Sequence, residues 1–288
     1  MRRKSCGPVA ILGLLLAMVT SLPAQQPRPR APRTGQIPGS EFVVVATDHA
    51  FDAPEQVDAG VVNFRLFNRG KEMHHLVVIK VDRLDRVGQI SEFLRNNDWN
   101  VPWMTAMGGP EAVGPGGVAS AIMLLAPGRY ILACVVASPA THRQHFMDGM
   151  IRELSVVKPL GNPAPAQLPA AEVSLKLFEW NFTLDGPLFA GRHTIRVENT
   201  GKFEHHAWIV RLLAGKSIEQ AVSWAENPRG VAPFEPVGGT TGLASGRSLN
   251  ISVDLLPGDY ALLCTLFNPL SKKTHSAHGM IKPFRVVN

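Results

Sequence analysis

The feature that most constrains this chain is a stretch that occurs twice. Its first copy covers residues 134–150 and its second copy covers 264–280, with no gap between the matching positions. A long internal repeat of this kind predicts two copies of one structural unit. Each copy keeps the same residue types in the same order: Cys134, His145, Gly149 and Met150 in the first, and Cys264, His275, Gly279 and Met280 in the second.

A second repeated motif lies upstream of each copy. It reads Asn-x-Gly-Lys-x-x-His-His and occupies residues 68–75 and 199–206. Each half therefore combines a thiol, several imidazoles and a thioether, a set of ligands that suits a soft, redox-active metal. Taken singly, a cysteine or methionine on a strand is more often a buried core residue. The joint recurrence in both halves favours a metal site in each.

The cysteine count narrows the alternatives. The chain has three cysteines: Cys6 near the start, Cys134 in the first half and Cys264 in the second. Neither half can form an internal disulfide, and a bridge between Cys134 and Cys264 is the alternative to metal binding. That bridge does not explain why each cysteine is accompanied by its own histidine and methionine.

The N-terminal segment has the pattern of an export signal. A basic start is followed by an apolar run over residues 9–19, and a small residue, Ala24, stands at the expected cleavage point. We predict a signal peptide over 1–24 and a periplasmic or secreted protein with no transmembrane domain after cleavage. The apolar run is about half the ~20 residues of a membrane span, although an uncleaved anchor is the alternative. Residues 25–40, rich in proline and arginine, are predicted to form a disordered tether.

The basic charge of the chain belongs mostly to these first segments. The formal net charge is +6, and six Arg and Lys residues precede the first acidic residue, Glu41. The folded part is therefore close to neutral. The basic charge is therefore no argument for nucleic-acid binding, which requires a clustered basic face, and we expect no nucleic-acid partner.

The remaining chain divides into two domains of similar size. We predict domain one over 41–158, a proline-rich linker over 159–170 and domain two over 171–288. Short runs of β-forming residues between turn signals predict an all-β fold with a Greek-key β-sandwich in each domain. The predicted strands include 74–79, and a hairpin that joins 120–125 to 130–134 through Pro127 and Gly128. Each domain also carries a short helical insert, and in domain two Ser217 and Gln220 predict a capping box.

Each half resembles the cupredoxin family, the blue copper proteins typified by plastocyanin and azurin. The resemblance rests on the Asn/Gly turn before the paired histidines and on the Cys…His-x4-Met order that ends in Gly-Met. It implies one type 1 copper per domain, held by two imidazoles, one thiolate and a weak axial methionine. The implied ligands are His74, Cys134, His145 and Met150 in domain one, and His205, Cys264, His275 and Met280 in domain two. His75 and His206 then stand beside the ligands, where they would support the site.

One departure from the family pattern concerns the loop between cysteine and histidine. Ten residues separate Cys134 from His145, and ten separate Cys264 from His275, more than in the familiar members. A hairpin excursion within the loop would still allow the ligands to converge. His142 could compete with His145, but Lys272 stands at the matching position in the second repeat, so we predict His145.

The resemblance implies electron transfer as the function, with an unidentified redox partner protein such as a cytochrome, oxidase or reductase. Copper binding or delivery, and a cupredoxin scaffold without bound metal, are alternatives. A multicopper oxidase or nitrite-reductase-like enzyme is less favoured. Those enzymes place histidines beside the type 1 cysteine and in His-x-His motifs, and this sequence has neither. We therefore expect a protein that is not an enzyme.

Overall fold

The computed structural model describes residues 40–83, 89–95, 101–160 and 167–288. The predicted signal peptide, nearly all of the tether and part of the linker lie outside these residues. In the first half the elements are β1 Ser40–Ala46, β2 Phe51–Asp52, β3 Gln56–Asp58, β4 Gly60–Asn68, β5 Val77–Val81, α1 Ile90–Arg95, β6 Met104–Ala106, β7 Val118–Leu125, β8 Gly128–Ala133, a 3-10 turn His145–Asp148 and β9 Ile151–Val157.

The second half follows the same order of elements, except that its described residues include no short strand matching β3 and have two additional short strands before the 3-10 turn. Its elements are β10 Val173–Phe178, β11 Asn181–Asp185, β12 Gly191–Asn199, β13 His205–Leu212, α2 Ile218–Glu226, β14 Phe234–Leu243, β15 Ser248–Leu255, β16 Gly258–Leu263, β17 Phe267–Asn268, β18 Lys273–Thr274, a 3-10 turn Ser276–His278 and β19 Ile281–Val286. The prediction of an all-β chain with two tandem sandwiches, each with a short helical insert, is confirmed. The capping box of α2 is also present, with Ser217 and Gln220 each bonded to the other's backbone N–H.

The two halves share one sheet. An eight-stranded sheet has the order β11-β10-β12-β15-β7-β4-β1-β2, so strands of both halves lie side by side in it. The halves join where β15 pairs with β7, antiparallel, with Ile251 opposite Ala121. The opposite layer is separate in each half: β3-β9-β8-β5-β6 in the first and β14-β13-β16-β19 in the second. The candidate cysteines directly follow β8 and β16 of this second layer, and the candidate methionines directly precede β9 and β19.

The turn at Pro127 and Gly128 is not a hairpin, and that prediction was wrong. Strand β7 pairs with β4 and β15 in the shared sheet, whereas β8 pairs with β5 and β9 in the other layer. The chain therefore crosses from one layer to the other at this turn. The Tyr130 hydroxyl donates a hydrogen bond to the Ala126 carbonyl at 2.8 Å and fixes the corner, and Tyr260 does the same with Leu256. Both tyrosine rings are buried.

The strand predicted over 74–79 differs between the halves. In the second half β13 begins at His205 and includes both histidines. In the first half β5 begins only at Val77. The residues before it make isolated backbone hydrogen bonds to the loop over 110–113. There His74 exchanges backbone bonds with Val113, and the Leu76 N–H donates to the Pro110 carbonyl at 2.9 Å.

Among the described residues, no helix is both long enough and apolar enough to cross a membrane.

Candidate metal centres

Each half brings one cysteine and two histidines together in its interior. One donor atom from each of His74, Cys134 and His145 lies within 4.8 Å of the others, and the same holds for His205, Cys264 and His275. All six side chains are buried. Within residues 40–83, 89–95, 101–160 and 167–288, these are the two groups in which at least three potential ligand side chains come this close together. Both cysteines are free thiols.

In the first half both imidazoles turn Nδ1 toward the thiol. The Cys134 Sγ lies 3.9 Å from Nδ1 of His74 and 3.5 Å from Nδ1 of His145. The two rings are 4.7 Å apart between their centroids and are tilted against each other. Three soft or borderline donor atoms therefore converge on one buried point, which is the arrangement that a small copper ion requires.

The second half has the same convergence in a tighter form. The Cys264 Sγ lies 3.2 Å from Nδ1 of His275, and Nδ1 of His205 lies 3.1 Å from Nδ1 of His275. Two ring nitrogens that face each other cannot both carry a hydrogen, so at least one lone pair points into the group. The donor set in both halves fits a copper ion.

Carboxylates hold the outward nitrogens of these rings. Nε2 of His74 lies 3.3 Å from an oxygen of Asp48, and Nε2 of His145 lies 2.9 Å from an oxygen of Glu72. A carboxylate accepts the Nε2–H, so it fixes the tautomer that leaves Nδ1 free to bind a metal. In the second half the matching contact is longer: Nε2 of His205 lies 3.6 Å from Glu179 and has no hydrogen-bond partner among the described residues.

The Asn-x-Gly motif makes room for this contact. A Cβ on Gly70 would lie 2.4 Å from the Asp48 carboxylate and 2.5 Å from Nε2 of His74, so a larger residue would push the two apart. The Asn68 side chain accepts from the Gly70 N–H and donates to the carbonyls of Glu72 and Val113. The turn is thereby fixed from inside. Asn199 and Gly201 repeat these bonds in the second half.

The long loops between cysteine and histidine close on themselves. In the first half the His145 N–H donates to the Val136 carbonyl at 2.9 Å, and the Phe146 N–H donates to the Cys134 carbonyl at 2.8 Å. In the second half the His275 N–H donates to the Leu266 carbonyl at 2.8 Å, and β17 and β18 form a two-stranded excursion. The ten intervening residues leave the site and return to it, so the loop length does not separate the ligands.

The methionines follow the candidate histidines by five residues in each copy of the motif. Met150 and Met280 are fully buried in the core cluster that contains both cysteines. The Met150 N–H donates to the His145 carbonyl, its own carbonyl accepts from the Cys134 N–H at 3.0 Å, and Met280 repeats both bonds with His275 and Cys264. Each methionine is therefore tied by its backbone to both of the residues that precede it in the motif.

His142, the competing histidine of the first loop, lies outside the site. It is exposed at the tip of the excursion, where its backbone has a φ of 56°, and Lys272 has the same φ at the matching position. The structure therefore brings together the histidines that the repeat favoured and leaves His142 in solvent.

Burial sets the protonation states of the ligands. Burial, with the neighbouring His145, lowers the pKa of His74 to about 4; burial, with His205, lowers that of His275 to about 3. Burial also raises the pKa of both thiols, Cys134 and Cys264, to about 12. At neutral pH the metal-free sites thus hold His74 and His275 as neutral imidazoles and both cysteines as protonated thiols, and a bound metal would displace the thiol proton.

The two sites differ in what covers them. Trp180 packs against the second site, with its ring centroid 4.7 Å from that of His275 and 4.5 Å from that of His278, on which it stacks. Phe203 also stacks on Trp180, with ring centroids 5.7 Å apart. In the first site the polar side chain of Glu72 instead bonds to both His145 and Ser138.

Sequence reasoning did not find the carboxylates. Asp48 and Glu179 precede the paired histidines by the same number of residues in the two halves, so the repeat itself contains this signal. Glu72 and Trp180 have no such counterpart, because Phe203 and His49 stand at the matching positions. Only the folded chain shows that these two residues contact a ligand.

Comparison with solved structures returns copper proteins. Auracyanin from Roseiflexus castenholzii has a TM-score of 0.31 and 19% identity, covering 41% of this chain and 98% of its own. Azurin iso-2 from Methylomonas sp. strain J has a TM-score of 0.29 and 15% identity over 41% of this chain and 98% of its own. Blue copper oxidase from Nitrosomonas europaea has a TM-score of 0.26 and 15% identity over 78% and 79%.

No protein-family model and no curated protein matches the sequence. At TM-scores this low the structural neighbours carry no argument about ligands or activity. The sandwich layers and the repeated order of strands and ligand residues themselves give each half a cupredoxin-like fold.

Proposed function

We propose that this protein transfers electrons through one type 1 copper in each half. The observation that carries the proposal is the convergence of two Nδ1 atoms on a buried cysteine in both halves. Copper bound by such a set would supply a Cu(I)/Cu(II) couple, because thiolate suits the first state and imidazole suits both. The holding residues would be His74, Cys134, His145 and Met150 in one half, and His205, Cys264, His275 and Met280 in the other.

The chain's own residues favour fast exchange with little rearrangement. The carboxylates of Asp48 and Glu72 hold two of the imidazoles from outside, and the backbone bonds of each cysteine tie it to the methionine behind it. Ligands fixed in this way keep their positions in both oxidation states. Burial of all of them would keep water away from a bound metal.

We do not assign a catalytic role. The residues beside the cysteines are Ala133 and Val135 in one half and Leu263 and Thr265 in the other, so no histidine is placed to bind a further copper next to either thiol. We propose further that the protein is exported and exchanges electrons with a separate redox protein.

Histidine variants of one loop test the proposal. In copper-loaded protein, His145→Ala should remove the thiolate-to-copper charge-transfer absorption of the first half. His142→Ala is the matched control, because that side chain lies in the same loop but in solvent, and it should leave the absorption unchanged. Equal spectra for both variants would refute the ligand set.

A further inference from the structure

One buried carboxylate, that of Glu111, contacts a histidine in each half. Its side chain is 2% exposed. One oxygen lies 3.2 Å from Nδ1 of His75 and also accepts the Ala112 N–H at 2.9 Å. The other oxygen lies 2.8 Å from Nδ1 of His206. Glu111 therefore joins the histidine that follows His74 to the histidine that follows His205.

The opposite nitrogen of each ring fixes which atom carries the hydrogen. The Val135 N–H donates to Nε2 of His75 at 2.9 Å, and the Thr265 N–H donates to Nε2 of His206 at 2.6 Å. Since a backbone N–H can only donate, each Nε2 is an acceptor and each Nδ1 carries the hydrogen. Both rings are thus neutral donors to Glu111.

This tautomer decides against a third metal site. His75, Glu111 and His206 line a cavity of about 640 Å³ between the halves, and two histidines with one carboxylate can bind a metal. In this case the nitrogens that face the carboxylate have no free lone pair, because they are protonated. The three side chains form a hydrogen-bonded chain instead.

The ends of that chain are the two candidate metal centres. Val135 directly follows Cys134, and Thr265 directly follows Cys264. A continuous path therefore runs from the first thiol through the Val135 N–H, His75, Glu111, His206 and the Thr265 N–H to the second thiol. The links between residues on it, other than the peptide bonds, are four of the hydrogen bonds described above.

The path is particular to the assembled pair of halves. Glu111 follows Gly108 and Gly109, whereas the matching residue after Gly238 and Gly239 is Thr241. One carboxylate therefore serves both repeats. Its loop is held against the second half by bonds from the Gly108 N–H to the Gly242 carbonyl at 2.9 Å and from the Thr241 N–H to the Gly109 carbonyl at 3.0 Å.

We propose that the His75–Glu111–His206 chain conducts electrons between the two copper centres, so that one half receives an electron and the other delivers it. The inference rests on the proposed function. The exchange is balanced within the protein: one centre is oxidised by one electron while the other is reduced by one. Both Nδ1 hydrogens stay in place, and no further reactant is needed.

The test measures exchange inside the copper-loaded full-length chain. Met280→Leu serves as a common background, because a changed axial ligand shifts the potential of one site and makes the two distinguishable. After a pulse of reductant, a phase that is independent of protein concentration reports the transfer between halves. Glu111→Leu and the isosteric Glu111→Gln should slow it severalfold, with both charge-transfer bands retained.

Glu235→Leu is the matched control, because this glutamate is exposed and pairs only with Arg211 on the neighbouring strand. It should leave the transfer rate unchanged. A transfer rate that stays the same when Glu111→Leu or Glu111→Gln is added to the Met280→Leu background, with both coppers bound, overturns the inference but leaves the proposed function intact.

A measurement on the metal-free protein distinguishes failure of this inference from failure of the proposed function. Nitrogen-15 spectra of the histidines should show His75 and His206 protonated at Nδ1 and slow to exchange, and Glu111→Leu should abolish the protection of both at once. Nδ1 atoms without a hydrogen would overturn the chain, whatever the protein does with copper. Absence of copper bands in the wild type would instead refute the proposed function.

Discussion

Removal of the Glu111 carboxylate should destabilise the metal-free protein strongly. Glu111→Leu leaves three buried donors without an acceptor: Nδ1–H of His75, Nδ1–H of His206 and the Ala112 N–H. Each unsatisfied buried donor costs about 1–3 kcal/mol, and the added leucine contacts recover part of this. We expect a net loss of about 3–5 kcal/mol in the free energy of unfolding, as for other broken buried networks.

Urea unfolding of the metal-free protein at pH 7, followed by circular dichroism, measures this loss. For a chain of this size it corresponds to a fall in Tm of roughly 10 °C. The control is again Glu235→Leu, whose side chain is 52% exposed and whose ion pair with Arg211 is worth about 0–1 kcal/mol. A loss in Glu111→Leu no larger than in this control would refute the buried hydrogen-bonded chain.

Three further predictions concern single residues. Burial lowers the pKa of His74 from 6.5 to about 4. Between pH 6.5 and about pH 4, His74 is therefore protonated in the unfolded chain but not in the folded chain. Stability of the metal-free protein should be full above pH 6.5 and fall toward pH 4; urea midpoints that stay flat over this range would contradict it. Copper should quench the fluorescence of Trp180, which lies against His275, and Cys264→Ser should abolish this quenching while Cys134→Ser keeps it. Glu72→Gln should weaken copper affinity in the first half about 10–100-fold and leave the second unchanged, as measured by competitive titration.

The repeat made much of the fold and site predictable. The recurrence of Cys, His and Met in a fixed order separated a metal site from ordinary core residues, and the histidine choice came from Lys272 at the position that matches His142. The sequence predicted that the loop could make a hairpin excursion. It did not predict the hydrogen bonds that close the loop, such as that from the His145 N–H to the Val136 carbonyl.

Other features depend on contacts that no local pattern contains. Pro127 and Gly128 signal a turn, but nothing in the turn itself indicates whether the next strand pairs with β7 or crosses to the other layer. The pairing of β7 with β15 and the position of Glu111 arise only when the two halves come together. Glu111 in particular follows two glycines and a proline in a loop, and no residue near it in the sequence indicates that its carboxylate is buried.

The central claim is most directly tested by titration of the reduced protein with Cu(II), followed by visible absorption and electron paramagnetic resonance. We predict an intense thiolate-to-copper band that saturates near two equivalents, one for each of the two His–Cys–His groups. Saturation near one equivalent would show that one half does not load. Bound copper with no charge-transfer band, or no binding at all, would contradict two type 1 sites and the electron-transfer function built on them.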